Sequence, residues 1–207
     1  MTEREARDHC PLPPADFAKR ELPVRSVEAM RLMRIHPRGR DPLFYSRRSA
    51  CTPANRFDAP ADEFGVLYAS LSFAACMAET LVRDRFAGSV APLVLEESRL
   101  KLRCLSLLEP AGPGLRLADF TAPLFGLGFS TQVLATPDYL APNLWSRAVH
   151  DHPARVDGIY FVSRYANEAS VAVFDRARLA ACGAPVPLLE CPELGPFLAR
   201  HDIALVP

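Results

Sequence analysis

Residues 64–81, FGVLYASLSFAACMAETL, predict a strand, a tight turn and a helix in direct succession. The strand is GVLYA at 65–69, an apolar run with turn-forming residues on either side. Ser70 or Ser72 is a candidate cap for the helix, which we expect to continue to about Phe86. A strand joined so closely to a helix implies a core that mixes both kinds of element.

Further short strands and helices are predicted along the rest of the chain. The expected strands are 29–36, one or two within 92–108, 158–163 and 170–174, and the expected helices lie near 117–125 and 141–150. A turn at Asn167 and Glu168 would join two of these strands as a hairpin. The C-terminal sequence PELGPFLARHDIALVP indicates a short helix followed by a strand. Hairpins together with helices favour an α+β fold over regular βαβ repeats.

Length and charge exclude several classes of protein. The 207 residues suit one domain, and we expect the charged, proline-punctuated residues 1–25 to form a lead-in that is flexible or lies on the surface. Lys+Arg and Asp+Glu both number 24, so the basic excess of a nucleic-acid binder is absent. No apolar run reaches the roughly 20 residues that cross a bilayer, and the charged, polar N-terminal residues are not expected to act as a signal peptide. We therefore expect a cytoplasmic protein.

Glu79 is the most unusual residue of the predicted helix, because it lies in a run of apolar side chains. On a regular α-helix it would share a face with Ala75, Cys76, Val82, Arg83 and Phe86. Burying an unpaired carboxylate costs several kcal/mol, so such a side chain is either paired or functional. One interpretation is an ion pair with Arg83, four residues later, and the other is a catalytic carboxylate.

Four further residues are candidates for ligand binding. Arg34 alternates with apolar residues in a predicted strand, and Arg56 lies in the long loop of residues 37–63. Arginine can grip phosphate oxygens with two parallel hydrogen bonds, although structural ion pairs to Glu79 or Asp58 are an alternative for both. The ring of Tyr68 could form a stacking wall. The last candidate is a hydroxyl at the end of the strand GIYFVS, that of Ser163.

A metal site is a rival interpretation. His150 and His152 form an H-x-H pair, to which His36 or His201 could be added only by the fold. A single H-x-H is a weak signal, and the following proline indicates the end of a helix, where histidine is common for other reasons. No C-x-x-C pair is present among the six cysteines either, so we predict no metal.

Taken together, these motifs resemble the RES domain family, which is named for an arginine, a glutamate and a serine. The corresponding segments are MRIH with Arg34, NRFD with Arg56, GVLYAS with Tyr68, AACMAETL with Glu79 and DGIYFVSR with Ser163. The resemblance implies a RES-like catalytic domain over residues 26–207, with an ADP-ribosyltransferase-like mixed sheet and flanking helices. It also implies the toxin of a bacterial toxin–antitoxin pair, with NAD+ consumed as a substrate and no resident cofactor.

The resemblance further assigns roles to the five candidates. Glu79 would stabilise the oxocarbenium-like transition state, Arg34 would clamp the diphosphate, and Ser163 would orient the nicotinamide end. Arg56 would add a second grip and Tyr68 would stack on the nicotinamide or its ribose. Arg164 is expected to face the opposite side of its strand and to be structural.

Three points stay open from the sequence: the acceptor, the identity of the partner and the class of protein. The acceptor of the ADP-ribosyl group is water, inorganic phosphate as a co-substrate, or a protein side chain. The partner implied by the resemblance is an antitoxin encoded nearby. A non-enzymatic interaction module, built on the proline-rich stretch PLFGLGFSTQVLATPDYLAPNLW, is the alternative from another class.

Overall fold

The computed structural model describes residues 10–28, 31–47, 55–83 and 92–207, and a curled mixed sheet is its central feature. These segments contain ten strands: β1 Val24–Val27, β2 Leu32–Pro37, β3 Val66–Ser70, β4 Leu93–Glu96, β5 Arg103–Pro110, β6 Leu115–Asp119, β7 Gly158–Val162, β8 Ala169–Phe174, β9 Leu179–Pro187 and β10 Ile203–Val206. Eight of them form the sheet in the order β1-β6-β7-β8-β3-β2-β5-β9. The remaining two, β4 and β10, pair in parallel as a separate ribbon.

Short helices cover the sheet. The α-helices are α1 Phe73–Met77, α2 Glu97–Lys101, α3 Gln132–Ala135, α4 Leu140–Asp151 and α5 Leu194–Arg200. A π-helical turn, Ala78–Val82, continues α1, and 3-10 turns lie at Phe17–Lys19, Phe125–Leu127 and Leu188–Glu190. No helix of the described segments is long and apolar enough to cross a bilayer.

Most of the expected elements are confirmed. The hairpin of β7 and β8 pairs residues Gly158 to Val162 with Val173 back to Ala169, and Asn167 in its turn has a φ of 53°. Only glycine fits at the start of β7, because a Cβ on Gly158 would lie 2.2 Å from the carbonyl oxygen of Ala172. Ser72, rather than Ser70, caps α1 by accepting a hydrogen bond from the backbone N–H of Ala75. Residues 84–91, where this helix was expected to end, lie outside the described segments.

The prediction of a helix near 117–125 is wrong, because Leu115–Asp119 is a strand in the interior of the sheet. It pairs antiparallel with β1 and parallel with β7. Its apolar residues Leu115, Leu117 and Ala118 are all buried, as expected for an interior strand that is covered on both faces. Pro123 follows soon after and prevents the segment from continuing as a helix.

Residues 10–25 pack onto the body of the protein. Phe17 and Leu22 are both buried in the same hydrophobic cluster as Trp145 of α4. The indole N–H of Trp145 donates a hydrogen bond of 2.8 Å to the backbone carbonyl of Pro11. Strand β1 begins within this segment and forms the edge of the sheet, so the described part of the lead-in is integrated with the fold.

A second cluster supports the helix that carries Glu79. Phe73, Cys76 and Met77 of α1 are buried against residues of β2, β5 and the ribbon. The C-terminal residues Phe197 and Ile203 belong to the same cluster. This packing holds α1 against the sheet beside β2 and β3.

Candidate active site

One cavity of about 250 Å³ collects the predicted site residues. Its walls come from β2, β3, the end of α1, the loop before Phe57 and the turn after β7. Arg34, Arg56, Tyr68 and Glu79 all line it. Ser163 is fully buried directly behind the wall and contacts Glu79. Residues 129 positions apart in the chain, from 34 to 163, are therefore brought to one place by the sheet.

Glu79 reaches the cavity from the π-helical turn. The wider i→i+5 pattern of a π turn re-aims side chains, and such turns are frequent at functional sites. Glu79, Thr80 and Arg83 line the cavity, whereas Val82 is buried in the second hydrophobic cluster. A regular α-helix would place Glu79 and Val82 on the same face, whereas here Glu79 lines the cavity and Val82 packs in the core. Within the described residues no ion pair joins Glu79 to Arg83.

Ser163 holds the carboxylate of Glu79 in position. Its hydroxyl donates a hydrogen bond of 2.6 Å to Oε1 of Glu79. Oγ of Ser163 in turn accepts hydrogen bonds from the backbone N–H groups of Tyr165, at 3.2 Å, and Ala166, at 3.3 Å. The single hydroxyl proton therefore points at the carboxylate. Hydrogen bonds to charged groups contribute about 1.5–3 kcal/mol, enough to keep one rotamer of Glu79.

Arg34 binds the loop that follows β2. Its two terminal nitrogens donate to the carbonyls of Pro42, at 2.6 Å, and Phe44, at 2.8 Å. Burial lowers the pKa of the guanidinium to about 10, so it is still charged at neutral pH. No described carboxylate forms an ion pair with it, in contrast to the structural alternative considered from the sequence.

Arg56 is held by α3 and α4. Its Nη1 donates to the carbonyls of Val133, at 3.1 Å, and Thr136, at 2.9 Å. The side-chain amide of Asn143 donates to the carbonyls of Asn55 and Arg56, at 3.2 and 2.9 Å, and so fixes the backbone of the loop. In the described part of the chain Arg56 forms no ion pair, and the suggested pairing with Asp58 is not formed.

Tyr68 connects its strand to the same loop. Its hydroxyl accepts a hydrogen bond from the backbone N–H of Phe57, at 2.8 Å, and donates to Asp58, at 3.0 Å. Burial first, and then the Asp58 carboxylate, raises the pKa of Tyr68 well above its usual value. The hydroxyl is therefore neutral and hydrogen-bonded within the protein, and Tyr68 lines the cavity.

Among the cavity residues that were missed from the sequence are Tyr139, Arg164 and Tyr165. Arg164 was expected on the face opposite Ser163, but β7 ends at Val162 and the alternation of a strand no longer applies beyond it. Its closeness to the strand end was the available signal. Tyr139 precedes α4 in a stretch without periodicity, and the sequence offers no signal for its position.

The cavity offers neither an activated thiol nor a metal centre. Burial raises the pKa of the Cys76 thiol to about 12, so this residue is protonated at neutral pH. No group of His, Cys, Asp and Glu within the described residues could hold a metal ion. Of the H-x-H pair, His150 stacks on Phe64 at 4.1 Å and His152 hydrogen-bonds the carbonyl of Arg20.

Comparison with solved structures identifies the fold. The crystal structure of the M. tuberculosis MbcT–MbcA toxin–antitoxin complex contains a chain that matches with a TM-score of 0.59 at 17% sequence identity. The match covers 79% of this chain and 88% of that chain. The predicted α+β class, with an ADP-ribosyltransferase-like mixed sheet and flanking helices, is confirmed. A search of curated proteins found no match.

Comparison with protein families identifies the family over most of the chain. The model of the RES domain matches residues 31–192. This range starts just before β2, which carries Arg34, and it includes Arg56, Tyr68, Glu79 and Ser163. The resemblance stated from five short motifs is confirmed, and the chain belongs to the RES domain family.

Proposed function

We propose that this protein cleaves the nicotinamide–ribose bond of NAD+ and transfers the ADP-ribosyl group to water or phosphate. The observation that carries the proposal is the charge pattern of the cavity. One oriented carboxylate, Glu79, faces a set of arginines that includes Arg34, Arg56 and Arg164. NAD+ has the complementary pattern, because its nicotinamide ring is cationic and its diphosphate is anionic.

The chemistry requires little acid catalysis. The bond between C1′ of the ribose and the nicotinamide nitrogen breaks, and its electron pair neutralises the ring, which leaves as nicotinamide. The ribose passes through an oxocarbenium-like state, as in glycoside cleavage. A carboxylate beside it stabilises the developing positive charge and can hydrogen-bond a ribose hydroxyl. An oxygen of water or phosphate then bonds to C1′, and a water nucleophile loses its proton to solvent.

The five predicted residues divide the work in this proposal. Glu79 stabilises the transition state, and Tyr68 offers its ring to the nicotinamide or the ribose. Arg34 and Arg56 bind the anionic part of the substrate, which fixes its orientation, and orientation alone can lower a barrier by several kcal/mol. Ser163 acts through Glu79, because its only hydroxyl proton is donated to that carboxylate.

We further propose that the protein is the toxin of a toxin–antitoxin pair, with an antitoxin protein as its partner. Membership of the RES domain family and the toxin–antitoxin complex among the similar folds support this role. Consumption of NAD+ would stop growth because the dinucleotide is needed throughout metabolism. An antitoxin would protect the cell by covering the cavity or by holding the enzyme in an inactive form.

The direct test is to incubate the purified protein with NAD+ and to measure nicotinamide release. Products are then separated with and without phosphate, where ADP-ribose identifies transfer to water and ADP-ribose 1″-phosphate identifies transfer to phosphate. We expect nicotinamide to be released in stoichiometric amount with one of these products. A folded protein that leaves NAD+ intact would favour the interaction module, and nicotinamide release that requires an added protein would indicate an ADP-ribosyltransferase.

The toxin role has its own test. Induced expression in a bacterium without the antitoxin should stop growth and lower cellular NAD+, and the Glu79→Gln variant at equal expression should do neither. Unchanged growth and unchanged NAD+ during expression of the active enzyme would contradict the toxin role while leaving the enzymatic proposal intact.

Replacing Ser163 with Ala should lower kcat for nicotinamide release about 10- to 100-fold. The change removes a hydrogen bond of about 1.5–3 kcal/mol to the carboxylate, and each 1.4 kcal/mol corresponds to a factor of ten. Steady-state kinetics would show the loss mainly in kcat, because the binding groups are unchanged.

The matched control for this variant is Ser106→Ala. Ser106 is also buried and hydrogen-bonded, to Nε2 of His36, but it does not line the cavity. The melting temperatures of the two variants should fall by similar amounts, whereas only Ser163→Ala should lose activity. Equal activity in the two variants would contradict the positioning role of Ser163.

A further inference from the structure

Two arginines of the cavity are anchored to the same short helix, α3. Nη1 of Arg56 donates to the carbonyls of Val133 and Thr136, and Nη1 of Arg164 donates to the carbonyl of Ala135 at 2.9 Å. The loop after β2 thereby places Arg56, and the turn after β7 places Arg164, at the C-terminal end of α3. Both guanidinium groups are thus anchored to backbone carbonyls of α3 and of the residue that follows it.

Aromatic rings complete the setting of both side chains. The Cζ atom of Arg56 lies 5.2 Å from the centre of the Tyr139 ring, and that of Arg164 lies 4.6 Å from the centre of the Tyr165 ring. Nη2 of Arg164 also donates to the hydroxyl of Tyr165. Such contacts favour a cation and hold the guanidinium plane in a defined orientation.

One carboxylate of the cavity, that of Glu79, acts on Arg56 through space, but it forms no ion pair with it in the described segments. Among the described residues no carboxylate forms an ion pair with Arg56 or with Arg164. Burial first, and then the nearby charge of Arg164, lowers the pKa of Arg56, so the two cations are close enough to repel. Each guanidinium has five N–H donors, and Arg56 uses only its Nη1 for the protein. Donors therefore remain for an anion.

We propose that Arg56 and Arg164 form a phosphate-binding subsite at the mouth of the cavity, which makes Arg164 a further substrate-binding residue. Arg164 is exposed, so a ligand can reach its remaining N–H groups from solvent. Planar guanidinium groups match phosphate oxygens in geometry as well as charge. The ligand chemistry is that of a phosphate group, and its identity rests on the proposed function.

Two sources can supply this phosphate group. The first is the diphosphate of NAD+, which would lie at the mouth because the cavity, at about 250 Å³, is smaller than the roughly 300–1,000 Å³ of most ligand pockets. The second is inorganic phosphate that accepts the ADP-ribosyl group. The two sources differ in which substrate the subsite affects, so kinetics can separate them.

Binding is tested first without catalysis, using ADP and inorganic phosphate as probes in isothermal titration calorimetry at low salt. Arg164→Ala should weaken binding of at least one probe about 10-fold or more, and Arg164→Lys should recover part of the loss by restoring the charge. Arg99→Ala is the matched control, since Arg99 lies on α2 in an exposed ion pair with Glu96 and does not line the cavity. A wild type that binds neither probe, or an Arg164→Ala variant that binds both as tightly, would overturn the subsite.

Kinetics then identifies the source. If the subsite holds the diphosphate, Arg164→Ala raises KM for NAD+ about 10-fold and leaves cleavage of nicotinamide riboside, which has no phosphate, unchanged. If it holds the acceptor, the variant raises the phosphate concentration needed for ADP-ribose 1″-phosphate and leaves KM for NAD+ unchanged. Loss of probe binding in a protein that never cleaves NAD+ would preserve the subsite and reject the proposed function.

Discussion

Replacing Glu79 with Gln is expected to lower kcat for nicotinamide release by about 10²–10³-fold or more. The amide keeps the size of the side chain and can still accept a hydrogen bond from Ser163, but it removes the negative charge. Loss of one preorganised electrostatic group at a reacting centre commonly has an effect of this order. KM for NAD+ should change little, because the carboxylate acts on charge that develops only in the transition state.

The measurement is steady-state release of nicotinamide by the wild type and by Glu79→Gln, with melting curves for both. Glu97→Gln serves as the control, because Glu97 forms an exposed ion pair with Lys101 and does not line the cavity. We expect near-normal melting in both variants and lost activity only in Glu79→Gln. A Glu79→Gln enzyme with most of its activity would show that the oriented carboxylate is not the catalytic group.

Replacing Trp145 with Ala should reduce the free energy of unfolding by about 3–5 kcal/mol, as for other large-to-small changes of buried aromatic residues. Trp145 is fully buried and makes edge-on contacts with Phe17, at 5.4 Å, and Phe129, at 5.2 Å between ring centres. The change also leaves the carbonyl of Pro11 without its donor. Because domains are typically stable by about 5–15 kcal/mol, the variant should be strongly destabilised.

Thermal unfolding followed by far-UV circular dichroism measures this effect without the tryptophan signal. At about 2–4 °C per kcal/mol for a chain of this size, we expect Tm to fall by roughly 10 °C. The Tm of Trp145→Phe, which retains a ring but loses the N–H, should fall by a smaller amount. A Tm within 2 °C or so of the wild type for Trp145→Ala would contradict the packing of residues 10–25 against α4.

Segments with strong local signals were predictable from the sequence. The hairpin of β7 and β8 and the strand β3 before a capped helix combine clear periodicity with turn or cap residues, and Pro153 marks the end of α4. Leu115–Asp119 was not, because LRLAD is compatible with a helix in isolation. Its state is decided by pairing with β1 and β7, which are distant in the chain, and tertiary pairing overrides weak local preference.

The site followed a similar rule. Arg34, Arg56, Tyr68, Glu79 and Ser163 could be selected because each belongs to a short motif, and their order in the chain matched a known family. Their mutual contacts could not be obtained in this way. The donation from Ser163 to Glu79 depends on the π-helical turn, which no residue pattern announced. Arg164 was missed because strand alternation was extended one residue too far.

The end of the family match has a practical consequence for anyone who shortens this protein. The match stops at residue 192, yet Phe197 and Ile203 pack with Phe73 of α1 in one cluster, and β10 is the sole parallel neighbour of β4 in the described segments. Trimming the chain to the end of the family match would remove apolar residues that pack against the helix that presents Glu79. An inactive fragment of that kind would report a damaged scaffold rather than the absence of chemistry.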